Sequence, residues 1–319
     1  GHGALKVQDF NSETSTYNTA VGYNAGIAVT TGIENTLIGG LAGDALTDAD
    51  YNVAIGYLAL SGDTLGSRSV AIGRSALQVQ NFTTATNAYN VAIGFQCGDS
   101  VTTGTLNTLI GGLAGDALTD ADENVAVGVN TLSSDTLGSK SVAVGYSALF
   151  TQNFTTATDT YNTAIGFNAG LAVTTGINNT LIGSLAGDAL TDADLNTAVG
   201  YQALSSDTLG SRSTAMGQGS LFTQNFTSAT DTYNTAVGFH SGLSVTTGTQ
   251  NTLIGGLAGD ALTDADENIA IGVNALGVDT LGSGSVAIGN GALSTQNFTS
   301  ATTNYNTAVG YRAGYVVST

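Results

Sequence analysis

The hexapeptide Tyr-Asn-(Thr/Val)-Ala-(Val/Ile)-Gly begins at Tyr17, Tyr89, Tyr161, Tyr233 and Tyr305, 72 residues apart each time. Inside that super-repeat a shorter signal, (Asn/Ser)-(Thr/Val/Ile)-(Ala/Leu)-(Val/Ile/Met)-Gly, closes at Gly22, Gly39, Gly56 and Gly73 before Gly94 opens the next, so the spacings run 17, 17, 17 and 21. The ladder continues without a missed step to Gly310, which makes 17 units. A unit of 17 residues is too short for two helices and a turn, but it suits two short strands of about five residues joined by two turns. Each unit is therefore expected to be one coil of an all-β, parallel β-solenoid or β-roll.

A chain of 319 residues would ordinarily suggest two domains, but that expectation holds only without internal repeats. The composition agrees with stacked coils. Gly occurs 44 times, charged residues are 9%, and Pro is absent, as a continuous parallel ladder needs every interior N–H. Alternation along Asn18-Thr19-Ala20-Val21-Gly22 puts Thr19 and Val21 on one face and Ala20 on the other. The larger Thr/Val/Ile face is expected to fill the coil interior, and the Ala20 face to admit another chain at close range. The fourth coil of each super-repeat is four residues longer and carries Gln-Asn-Phe-Thr. These bulges are expected about every 19 Å along a rod of roughly 80 Å. Ala4 to Tyr17 aligns with Ala76 to Tyr89, and the chain stops inside a first coil. Residues 4–319 accordingly read as one continuous uncapped segment of a longer fibre, and residues 1–3 as a tag remnant.

The unit (Asn/Ser)-x-Ala-(Val/Ile)-Gly-x-x-(Ala/Ser), recurring over nearly the whole chain, resembles the head repeats of YadA-like trimeric autotransporter adhesins. It is also similar to repeat arrays in marine phage tail-fibre proteins. The resemblance implies a left-handed parallel β-roll, three chains about one axis, and attachment to surfaces, although the units here are longer than that family's. It makes the expected partners a second and third copy of the chain, with a cell-surface glycan or protein as receptor. The expected location is extracellular, on a virion tail fibre or a bacterial surface. A self-assembling extracellular filament is the alternative, and an ice-binding solenoid with Thr rows is a third reading.

The formal charge of −18 with six basic residues opposes binding to nucleic acid, and no apolar run is long enough to span a membrane. Asp44, Asp48 and Asp50, with their counterparts in each second coil, are candidate calcium turns, yet their spacing fits neither an EF-hand nor a calcium roll. Solvated turn carboxylates are the plainer reading. No catalytic constellation is expected, since His240 occupies a position held elsewhere by Asn24, Gln96 and Asn168. No cofactor is expected either. Cys97 stands in an Ala slot and reads as a small buried hydrophobe. The bulge triplets Asn81, Phe82, Thr83; Asn153, Phe154, Thr155; Asn225, Phe226, Thr227; and Asn297, Phe298, Thr299 are the candidate receptor-contact ridge. Their rings either plug the wider coil or line that ridge.

Overall fold

The computed structural model describes residues 1–10 and 15–318. The comparison of the opening stretch with Ala76 to Tyr89 falls partly on residues 11–14, and the closing residue is Thr319; both lie outside the described residues. The protein is all-β, with no helix among the described residues, and forms a parallel β-solenoid of about 17 turns. It divides into two units, Gly1–Tyr161 and Asn162–Thr319. The first holds eight three-residue strands, from Thr19–Val21 to Val142–Val144, and the second holds nine, from Thr163–Ile165 to Thr307–Val309. Within each unit successive strands pair in parallel and in exact repeat register, as in Thr19↔Thr36, Ala20↔Leu37 and Val21↔Ile38.

The coil has one three-residue strand rather than two of five. Among the described residues a second, two-residue pairing appears only between third and fourth coils, as in Gly66–Ser67 with Thr86–Asn87. The reason lies in the backbone: the strand ends at a Gly with φ between +127° and +148°, a region closed to residues with a side chain. A Cβ on Gly94 would lie 2.2 Å from the carbonyl oxygen of Gly111 in the next coil. The stacked glycines are thus required by both torsion and contact.

The two faces of the strand are the reverse of the expectation from residue size. Ala54, Ala71, Ala92 and Leu109 are fully buried, whereas Val21, Ile38 and Ile110 are exposed. The cause is the width of the coil. Its opposite wall already supplies a leucine or valine, and volume is matched across the interior: where the strand carries Leu37 or Leu109, the facing turn carries Gly43 or Gly115; where it carries Ala54 or Ala71, the turn carries Leu60 or Leu77. Interiors pack to crystal density, so a larger residue at the Ala54 position has no space.

Buried asparagines close the coil. Asn52 Nδ2 donates to the Gly66 carbonyl at 2.9 Å within its own coil, and its Oδ1 accepts from Ser69 N at 2.8 Å in the next. The longer fourth coil starts with Ser instead of Asn. Its missing amide is supplied by Gln80, whose Nε2 donates to Ser69 Oγ at 3.1 Å and to Asp63 Oδ2 at 2.6 Å, while its Oε1 accepts from Asn90. Asp63 Oδ1 accepts from the backbone of Gly66 and Phe82, tying the start of the bulge to the coil before it. The same arrangement recurs at Asp135, Asp207 and Asp279.

Candidate functional site

The outward sheet face is an uncharged surface that the repeats build from Thr, Val and Ile. Its first column reads Thr, Val or Ile and its third reads Val, Ile or Met216, and neither column carries a charge in any strand. Val21, Ile165, Ile182, Met216 and Ile254 are exposed on it. Beside it, just past the glycine, the chain sets out Tyr57 at 50% and Phe95 at 48% exposure in the first unit, and Phe167, Tyr201 and Phe239 in the second. Exposed apolar residues recurring side by side in this way are uncommon on a monomer. Sequence reasoning missed it because it placed these side chains inside. The signal that could have found it is the pairing of Leu on the strand with Gly six residues later, as in Leu37 and Gly43.

The bulge residues are brought to one position in each super-repeat, with the rings inward. Phe82, Phe154 and Phe226 are each 6% exposed, and Phe298 is half-buried. The ring therefore plugs the fourth coil, and it is not presented for contact. What reaches solvent is polar: Asn81, Asn153 and Asn225 with Thr83, Thr155 and Thr227. Even there Asn81 Oδ1 accepts from Thr64 Oγ1 at 3.0 Å, and Thr64 Oγ1 lies 2.9 Å from the Phe82 carbonyl. At the last bulge Asn297 is half-buried and Thr299 is exposed.

The acidic turns are joined to the preceding coil. Asp48 Oδ1 accepts from Thr31 Oγ1 at 2.5 Å, and Asp50 Oδ1 accepts from the Ile33 N–H at 2.8 Å. Asp44 faces another side, with one oxygen buried and unpartnered. Among the described residues no three Asp, Glu, His or Cys side chains are grouped so as to hold a metal ion. Cys97 is fully buried, donates to the Leu109 carbonyl at 3.1 Å, and has its thiol pushed up to about 12 by desolvation. A thiol held protonated in this way is a packing group. His240 stacks on Phe239, ring centroids 3.8 Å apart. The basic residues Arg68, Lys140 and Arg212 occupy one repeat position and are engaged by their own chain: Arg68 lies over Tyr51 and donates to Asn87, and Lys140 and Arg212 pair with Asp159 and Asp231.

The carboxylates of one column, Asp99 included, and the buried Asp63 outside it respond to pH in the same sense. Asp44, Asp116, Asp188 and Asp260 are half-buried, and desolvation holds each carboxyl above its ordinary value of 3.8. The folded chain then binds these protons more tightly than the unfolded chain does. The stabilisation is complete below the unfolded value and is lost as pH rises through the raised folded values. Asp159, held low by its pairing with Lys140, acts in the opposite sense, but it is a single exposed group. Self-repulsion from the net charge of −18 also eases on acidification. The melting temperature is expected to rise between pH 7 and about 4.5; a steady fall over that range would contradict this assignment.

Comparison with known proteins returned no matching family model, no matching curated protein and no matching solved structure. No helix among the described residues is long and apolar enough to cross a membrane.

Proposed function

We propose that this chain is a non-enzymatic structural and adhesive fibre segment that works outside the cell, on a virion tail fibre or a bacterial surface, as an assembly of identical copies. The observation that carries the reading is the uncharged, exposed sheet face on a chain of net charge −18. A surface that repeats every coil is best covered by one with the same period, and another copy of the chain has that period. Three copies about a common axis is the arrangement that the sequence resemblance favours, with the Val/Ile face rather than the Ala face turned toward the axis. The bulges and turns then face outward, where a receptor is met.

Size-exclusion chromatography with light scattering tests this. The expected result is a discrete species of three 31.8 kDa chains. Open-ended polymers would instead point to a self-assembling extracellular filament. A monodisperse single chain at micromolar concentration would overturn the assembly reading.

A further inference from the structure

The ninth residue after each coil's opening Asn or Ser forms a column on the coil surface. From the second coil of the third super-repeat this column reads Asp188, Ser205 and Phe222, followed by Leu243 in the first coil of the next, and Ser205 Oγ donates to Asp188 Oδ1 at 2.7 Å. From the second coil of the fourth it reads Asp260, Gly277 and Ser294, followed by Tyr315 in the first coil of the fifth. Gly277 has no hydroxyl to give Asp260, and a Cβ placed on it would stand 3.3 Å from Asp260 Oδ1. Ser294 stands where the preceding super-repeat has a phenyl ring. These two changes coincide with a cavity of about 290 Å³, lined by Asp260, Asn274, Asn290, Ser294, Arg312 and Tyr315 along with small residues. Arg312, at the position of His240, is held over the rings of Tyr311 and Tyr315 at 5.4 and 5.1 Å.

We propose that this cavity binds one neutral pyranose unit. Its single carboxylate and single guanidinium balance, so neither a metal ion nor a free anion is matched by the lining. Two amides that both donate and accept, two hydroxyls and a carboxylate suit vicinal sugar hydroxyls, and the Tyr315 ring offers an apolar surface to the sugar's C–H face. The volume lies at the lower end for small-molecule pockets, enough for one ring and too small for an oligosaccharide. The inference deepens the attachment half of the proposed function and rests on it only in taking the sugar to belong to a surface.

Saturation-transfer NMR and titration of the intact protein with methyl glucoside, methyl galactoside, methyl mannoside, N-acetylglucosamine and glucuronate provide the test. Saturable binding of at least one neutral sugar is expected. Ser294→Phe and Gly277→Ser, which restore the residues of the third super-repeat, should each weaken that binding at least about tenfold. Their melting temperatures should be unchanged, because Phe222 and Ser205 already occupy the equivalent places. The proposal is overturned by the absence of neutral-sugar binding, by binding that survives Ser294→Phe, or by binding of glucuronate alone. Any of these results would leave the assembly state, measured separately by light scattering, where it stood.

Discussion

Val127→Glu combined with Ile271→Glu is expected to abolish self-association while leaving the far-UV circular dichroism of the coils unchanged. Both residues occupy the outward third position of a third-coil strand, one in each unit, so neither substitution disturbs the packed interior. In an assembly closed over this face, each copy would bury two carboxylates without partners, at a cost of about 3–5 kcal/mol for each uncompensated charge. That penalty is multiplied by the number of copies, and hydration of the face in the separated chain opposes it no further. Light scattering should then give the mass of one chain. A variant that retained the assembled mass would show that another surface holds the copies together.

The largest effect on the chain itself is expected from Leu109→Ala. Loss of a buried leucine side chain costs about 2–5 kcal/mol, with the spread set by how well neighbours collapse into the space. Here they cannot. The residues facing Leu109 are Gly98 and Gly115, whose added Cβ atoms would lie 2.8 and 2.9 Å from its two methyl carbons, and glycine has no side chain with which to fill the void. The cost should fall at the upper end of that range, and neighbouring coils should share the loss because each is stabilised by the next. Denaturant unfolding measures it. Ile93→Ala in the outward column of the adjacent coil is the control and should cost much less in the dispersed Val127→Glu, Ile271→Glu background. Equal losses at the two positions would contradict the interior described here.

How far this fold was legible in sequence follows from what the repeat encodes. Coil number and register are covalent properties, so the 72-residue period and its 17-residue parts lead directly to a parallel ladder in which Thr19 meets Thr36. Which face of Thr19-Ala20-Val21 points inward is not covalent. Alternation separates the faces without ranking them, and both are apolar here, so size alone misleads. The deciding information is spread across the coil, in the match of Leu37 with Gly43 and of Ala54 with Leu60, and it acquires meaning only once the turn brings those residues together. The buried Asp63–Gln80 pair was hidden for a similar reason: a carboxylate and an amide 17 residues apart read as surface groups until the longer fourth coil replaces Asn by Ser69. Cys97 was legible because its slot is Ala in most coils and Thr131, Ser220 or Ser241 in the others. The cavity beside Ser294 was not, because Ser, Gly and Gln all occur in its column and only their combination leaves space.

Thiol labelling of adjacent residues tests the central assignment of inside, outside and interface most directly. In a Cys97→Ala background, cysteine is placed at Ala54 or at Ile55, first in the otherwise unmodified protein and then with Val127→Glu and Ile271→Glu added. The account predicts that cysteine at 54 stays unreactive in both proteins, because it lies inside the coil. Cysteine at 55 should be protected in the assembled protein and react readily in the dispersed one. A cysteine at 54 that reacts on dispersal while one at 55 remains protected would contradict it.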